Sequence, residues 1–113
     1  MPRDETYLIH VLYYARRIEG YVAGVTREEF DSNDEKKDAV VLQIGNIGEV
    51  AGKISEEFKK QHPEVKWKKM TGMRHRIFHH YHTVDWDIVW DTATIDVPEL
   101  IGQIEPLVQQ NNE

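Results

Sequence analysis

Residues 32–58 read SNDEKKDAVVLQIGNIGEVAGKISEEF, the longest helical pattern in the chain. Its apolar residues recur at steps of three and four, which is the spacing of one helix face. Ser32 to Glu35 fits a capping box, in which Ser and Glu side chains satisfy the first amides of a helix. We therefore predict one long helix, whose buried stripe would contain Val40, Ile44, Ile47, Ala51, Ile54 and Phe58.

Three glycines, Gly45, Gly48 and Gly52, lie in this predicted helix. Glycine destabilises a helix interior by about 1 kcal/mol relative to alanine, so three of them call for a structural reason. A missing side chain lets a neighbouring backbone approach closely. We expect another segment of the fold to cross the helix at these glycines.

The N-terminal segment predicts a helix over Asp4 to Ala23. Its apolar residues recur at helical spacing; among them are Leu8, Leu12, Ala15 and Val22. TREE, residues 26–29, forms a second capping-box pattern just after this helix.

Three further helices are predicted in the second half of the chain. Pro63 suits the first turn of a helix, because its missing amide is not needed there. Asp85 is predicted to cap a short helix in DWDIVWDTA, and Asp96 to cap a last helix with Pro98 in its first turn. The helix after Pro63 has an apolar stripe of Trp67, Met70, Ile77, Phe78 and Tyr81.

These patterns predict an all-α fold, a single domain over residues 1–113 built as an antiparallel bundle of four to five helices. No alternation typical of strands is evident. The chain has no cysteine, which excludes disulfides, thiolate metal sites and a thiol nucleophile. The start, MPRDETYLIH, lacks a signal-peptide core, and no apolar run approaches the roughly 18 residues of a membrane span, so we expect a cytoplasmic protein with no membrane partner.

Charge is distributed unevenly along the chain. Residues 59–82 contain seven Lys or Arg and one acid, Glu64, a net charge of +6, whereas the whole chain carries −6. Five of the six histidines lie in the same window. This segment is suited to a polyanion or an acidic partner surface, although a solvated helix face would also explain it.

The window ends in RHRIFHHYH, residues 74–82. Arg74 falls on the predicted apolar stripe, and burial of a guanidinium is costly unless it is paired. Its partner would be either a carboxylate, with Glu49 a candidate, or a bound phosphate. On an ideal helix Tyr81 shares the face of Arg74 and His79 lies about 140° away, so all three meet only near the helix end or across an interface. A two-fold dimer would bring two copies of these residues around one cleft.

A metal site is the alternative for the histidines, because His75 and His79 are four residues apart. Neither HExxH nor cysteine is present, and the neighbouring Arg74 and Arg76 would repel a cation. We therefore expect no metal and no cofactor.

The chain resembles the HEPN superfamily, and within it the HepT-like ribonuclease toxins of MNT/HEPN toxin–antitoxin pairs. The signature of that family is an Arg, four residues, a His, one residue and a Tyr, matched here by Arg74, His79 and Tyr81. His75 and His80 depart from the family, which often has asparagine at the first position and glycine or an acid at the second. Supporting matches are IGEVAGKIS from Ile47, HPEVKWKKMTGMR from His62, DWDIVWDTA from Asp85 and DVPELIGQIEPL from Asp96.

The resemblance implies a homodimer, or a higher assembly of it, with metal-independent endoribonuclease activity. Arg74 and His79 would be catalytic, and His75, Arg76 and His80 would contact RNA. The resemblance further implies a type II or type VII toxin–antitoxin pair, in which a cognate MNT nucleotidyltransferase antitoxin transfers AMP to Tyr81.

Two other functions compete with this hypothesis. In the first, the chain is a non-catalytic nucleotide- or substrate-binding partner subunit of the nucleotidyltransferase. In the second, it is a plain helical dimer in which Arg74 belongs to a structural ion pair. Activity of an unmodified preparation distinguishes the first, and the stability of an Arg74→Ala variant distinguishes the second.

Overall fold

The computed structural model describes the backbone of residues 2–80 and 83–111 and the side chains of residues 3–78 and 83–108. It contains helices α1 to α8, one short β-hairpin and one π-helical segment. In chain order these are α1 (Pro2–Val22), α2 (Arg27–Asp31), α3 (Asp34–Ala51), α4 (Glu56–Gln61), α5 (Trp67–Thr71), α6 (Met73–Ile77), β1 (Phe78–His80), β2 (Thr83–Val84), α7 (Trp86–Asp91), the π segment (Thr92–Asp96) and α8 (Val97–Asn111).

Helix α1 packs against both α3 and α8 and so forms the centre of the bundle. Its apolar stripe is completely buried, because it faces two helices at once. The predicted all-α fold is therefore confirmed. No helix in the described parts of the chain is long and apolar enough to cross a membrane. The stripe of α1 consists of Leu8, Val11, Ala15 and Ile18, and α8 packs on it with Ile101, Ile104 and Leu107.

Helix α3 is shorter than predicted, because it ends at Ala51 and a separate helix, α4, begins at Glu56. Ser55 caps α4, and its backbone amide and hydroxyl both donate to the buried carboxylate of Asp4, at 2.9 and 2.7 Å. Ile54 and Phe58 are buried all the same, so the predicted stripe is correct although the helix is not continuous.

The capping predictions are correct at two ends and wrong at two others. Thr26 forms the predicted capping box with Glu29, and Asp85 caps α7. Asn33, rather than Ser32, caps α3, because Ser32 already closes the end of α2. Asp96 caps no helix: α7 continues through the π segment into α8, and Asp96 lies inside this continuous helical stretch.

The basic segment differs most from its prediction of a single helix starting at Pro63. Residues 62–66 form no helix, α5 begins at Trp67, and the chain bends at Gly72 between α5 and α6. After Ile77 the backbone becomes extended, and Phe78–His80 pairs antiparallel with Thr83–Val84. The expectation that the chain has no strands is therefore wrong for this short hairpin.

Candidate active site

Helix α6 crosses α3 at two of the predicted glycines. A methyl group at Gly48 would lie 3.4 Å from the carbonyl oxygen of Thr71 and 3.6 Å from the backbone nitrogen of Arg74. One at Gly45 would lie 3.7 Å from Cδ of Arg74. The predicted approach of another backbone is observed at Gly48, at ordinary van der Waals distance, and the Arg74 side chain lies beside Gly45. Gly52 faces only carbonyls of its own helix, so it closes α3 instead.

Arg74 is exposed, which contradicts its predicted position on a buried stripe. Met73 occupies the buried position between Met70 and Ile77, at steps of three and four residues, and the side chain of Arg74 lies beside Gly45 of α3. Phe78 is likewise 37% exposed rather than part of the core. The rest of the stripe is buried as predicted, namely Trp67, Met70 and Ile77, whereas Tyr81 lies outside the described residues.

The guanidinium of Arg74 has no ionic partner in the described part of the chain. Its carbon lies 5.9 Å from the centre of the Phe78 ring, a cation–π distance. Glu49, the carboxylate proposed as a structural partner, lines the same cavity but makes no ion pair with Arg74. The positive charge of Arg74 is therefore available to an anion.

A cavity of about 600 Å³ opens beside Arg74, a volume within the range of small-molecule sites. A second cavity, of about 330 Å³, adjoins it on the α3 side and shares Glu49, Arg74 and Phe78. The first cavity presents one arginine and one histidine to solvent at the bottom of a groove between α3 and α6. It is lined by Gly48, Glu49, Thr71, Arg74, His75 and Phe78.

Arg76 has different surroundings from Arg74. Its guanidinium donates to the carboxylate of Asp96 at 3.0 Å, and Lys69 pairs with the other oxygen of the same carboxylate at 3.0 Å. The Asp96 side chain is only 10% exposed. Sequence reasoning missed this role of Asp96, because nothing in TATID indicates which helix its carboxylate will face. Arg76 consequently joins α6 to the π segment.

One residue of the signature, His79, lies on β1. His79 and His80 belong to β1, so a helical-wheel argument that relates His79 to Arg74 does not apply. The side chains of His79 and His80, and Tyr81 altogether, lie outside what the structure describes. Of the candidate residues, Arg74 and His75 line one cavity and Arg76 lies apart from them.

No group of three metal-binding side chains occurs among residues 3–78 and 83–108. Two histidines of the cluster, His79 and His80, are outside that search. His75 is exposed within the Arg74 cavity, beside a fixed positive charge that disfavours a cation.

An arginine without an ionic partner among the described residues, beside a histidine in a groove of a cysteine-free helical bundle, is an arrangement suited to an anion. The chain belongs to the ribonuclease HepT-like family, whose model matches residues 11–107. This confirms the resemblance that the Arg–His–Tyr signature indicated.

Curated relatives match over nearly their whole length. "Probable ribonuclease HepT" of Thermococcus cleftensis is 33% identical over 101 residues, 89% of this chain and 92% of that protein. "Putative RNase TTE0752" of Caldanaerobacter subterraneus subsp. tengcongensis is 31% identical over 110 residues, 97% of this chain and 98% of that protein. "Putative RNase MJ0125" of Methanocaldococcus jannaschii is 30% identical over 115 residues, covering 100% and 99%. No solved structure gives a significant match.

Proposed function

We propose that this protein is a metal-independent endoribonuclease. The observation that carries the proposal is the position of Arg74, which is exposed, unpaired within the described residues and held in a groove by the glycines of α3. The same arginine begins the family signature, and the relatives are named as ribonucleases. The catalytic pair would be Arg74 and His79.

In the proposed reaction, the 2′-hydroxyl of the ribose attacks the adjacent phosphorus and the bond from phosphorus to the 5′ oxygen breaks. Imidazole has a reference pKa of about 6.5, so His79 is suited either to remove the proton of the attacking hydroxyl or to donate one to the leaving 5′ oxygen, and water makes the other transfer. Arg74 binds the scissile phosphate and neutralises the charge that develops on its oxygens. The products are a 2′,3′-cyclic phosphate and a 5′-hydroxyl, and the chemistry requires no cofactor.

The neighbouring cationic residues would have supporting roles. His75 lines the Arg74 cavity and is exposed, which suits direct contact with RNA. His80 belongs to the same proposed contact surface by its place in the signature. For Arg76, the ion pair with Asp96 favours a structural role over direct RNA contact.

We further propose that the active form is a homodimer, whose cleft forms where two copies of the signature meet. Leu42 and Phe78 support this, because both are apolar, 60% and 37% exposed, and lie on the rim of the cavity shared with Arg74. Exposed apolar residues beside a polar site are typical of an interface. A second copy would cover them and exclude water from the phosphate.

The biological role that fits this activity is that of a toxin controlled by a cognate MNT nucleotidyltransferase antitoxin. Transfer of AMP to Tyr81 would place a bulky anion near Arg74, where it would occupy the phosphate position and block RNA. A Tyr81→Phe variant should then show no AMP mass increase after incubation with the antitoxin and ATP. An unchanged mass increase on that variant would refute Tyr81 as the modified residue.

The proposed activity is tested with purified protein whose mass shows no adduct, incubated with total RNA in EDTA beside a His79→Ala variant. We expect the parent to cleave and the variant to be inactive. Equal cleavage by both would refute the role of His79. No cleavage by an unmodified parent would favour the function of a non-catalytic binding partner.

A further inference from the structure

A second groove, which we call the lysine groove, lies on the other side of Thr71 from Arg74. Its volume is about 620 Å³, similar to that of the Arg74 cavity. Glu56 is the single acid among its described lining residues. Five of its lining residues are lysines: Lys59, Lys60, Lys66, Lys68 and Lys69.

The five lysines differ in their ionic partners. Lys66 and Lys69 pair with Glu99 and Asp96, both at 3.0 Å, so their charges are compensated on the α8 side. Lys59 lies 3.6 Å from Glu56 and is mostly buried.

Lys60 and Lys68 are both exposed, and neither has an acidic partner in the described residues. Their positive charges are therefore uncompensated and face solvent within the groove. Of the five lysines, Lys60 and Lys68 are therefore the two best placed to bind an external anion.

The lysine groove and the Arg74 cavity adjoin one another. Thr71 lines both of them, so no further residue separates the two. Lys68 and Thr71 are three residues apart on α5 and thus lie on the same face. Lys60 and Lys68 thus line a groove that shares Thr71 with the cavity of Arg74.

We propose that the lysine groove binds the phosphate backbone of the RNA segment next to the scissile nucleotide. This inference rests on the ribonuclease function proposed above and identifies how that substrate is held. Separate, exposed lysines match a repeating anion better than one compact anion, which would need converging donors. Trp67, the aromatic residue of the groove, is 8% exposed and offers little surface for base stacking, so we expect binding without strong sequence preference.

The test measures RNA binding and cleavage by a Lys60→Ala/Lys68→Ala variant. Its control is Lys36→Ala/Lys53→Ala, which removes the same amount of charge at two lysines outside the groove. Binding is followed by fluorescence anisotropy, with a labelled RNA that carries 2′-O-methyl groups and so cannot be cleaved. A salt titration gives the number of phosphate contacts, and an unmodified RNA gives kcat and KM.

We expect the groove variant to bind roughly tenfold more weakly than the parent, with a salt slope smaller by about 1.4, the value for two contacts to a single strand. KM should rise with little change in kcat, because the groove does not touch the reacting atoms. The control should match the parent. Lys60→Arg/Lys68→Arg should restore binding, which would exclude misfolding as the cause.

Two results would overturn this inference, and they differ in whether the proposed ribonuclease function also fails. If the parent cleaves RNA but the groove variant and the control behave alike, the lysine groove is not an RNA site, whereas the ribonuclease function stands. If the unmodified parent neither binds nor cleaves RNA, both proposals fail, and an acidic protein surface becomes the better ligand for these lysines.

Discussion

The two faces of the segment Trp67–Ile77 both carry cationic side chains, but only the cations of one face have an acidic partner among the described residues. On one face, Lys69 and Arg76 share the carboxylate of Asp96 in the π segment. Toward α3, Arg74 meets the glycines of α3 and has no carboxylate within ion-pair distance among the described residues. Arg74 and Arg76 are two residues apart, and they differ in their neighbours: Arg76 has a carboxylate partner, and Arg74 has none among the described residues. One arginine stabilises the bundle, and the other is available to a substrate.

The largest expected effect is that of Arg74→Ala. Loss of the group that stabilises charge on the scissile phosphate should lower RNA cleavage by about 10²–10³-fold. The midpoint of thermal unfolding should hardly change, because the side chain is exposed and has no ionic partner among the described residues. Single-turnover cleavage and a thermal unfolding curve measure the two effects.

Arg76→Ala is the matched control and should show the opposite result. Removal of its ion pair with Asp96 should lower the free energy of unfolding by about 1 kcal/mol, with cleavage close to that of the parent where the variant is folded. The comparison fails if Arg76→Ala abolishes cleavage in a folded protein and Arg74→Ala does not.

Leucine substitutions at Gly45 and Gly48 distinguish contact with the Arg74 side chain from contact with the backbone of Thr71 and Arg74. Gly48→Leu would push against the backbone of Thr71 and Arg74 and should destabilise the protein by about 1–3 kcal/mol. The Cβ of Gly45→Leu would contact the Arg74 side chain rather than backbone, so this variant should reduce cleavage about tenfold, by displacing the guanidinium, with less loss of stability. Urea unfolding and cleavage rates report both. Similar stability losses for the two variants would contradict this geometry.

Helices α1 and α3 show which features of the fold could be predicted from the sequence. Spacing predicted α1 and the burial of its Leu8 and Ala15, because helical periodicity is local, whereas Leu12 and Val22 of the predicted stripe are only half-buried. It also predicted the contact at Gly48. The exposure of Arg74 was not predictable in the same way. Met73 and Arg74 both lie at helical spacing from Met70, and only the packing of α6 shows that Met73 is the buried one.

Asp96→Asn tests how much the ion pairs of Asp96 with Lys69 and Arg76 stabilise the fold. The carboxylate is nearly buried and compensates two cations, so its neutralisation should lower the free energy of unfolding by roughly 1–2 kcal/mol. Glu99→Gln affects one exposed pair, with Lys66, and should cost less than about 0.5 kcal/mol. Both are measured by urea unfolding. Equal costs for the two variants would show that the Asp96 cluster has no special structural role.

The smallest expected effect lies at Glu29 in α2. The pKa of Glu29 is below its ordinary value of 4.5, because the backbone amide of Thr26 donates to its carboxylate. A carboxylate with a lowered pKa stabilises the fold above that ordinary value, and the contribution is lost as the pH falls through the folded pKa.

Glu29→Gln should therefore unfold at a slightly lower temperature than the parent at neutral pH, and at the same temperature in acid. Thermal unfolding curves at a series of pH values measure this, and cleavage at neutral pH should be unaffected. A difference that persists unchanged in acid would contradict the assignment.

Asp85, Asp96 and the basic window show why tertiary partners cannot be predicted from local sequence patterns. Asp85 caps its helix as predicted, because an N-cap needs only the next three residues. Asp96 has the same residue type before another helical segment, yet it binds Lys69 and Arg76, 27 and 20 residues earlier in the chain. The excess of positive charge was likewise visible in the sequence, but the pairing of each lysine was not.

The most direct test of the ribonuclease mechanism is the chemistry of the ends that it leaves. Unmodified parent protein is incubated in EDTA with a defined RNA, and the products are analysed by mass spectrometry beside an RNA with 2′-deoxyribose at the cleaved position. Our account predicts 2′,3′-cyclic phosphate and 5′-hydroxyl ends, with the deoxy-substituted RNA intact. Products with 5′-phosphate ends, or cleavage of the deoxy-substituted RNA at the same position, would contradict it.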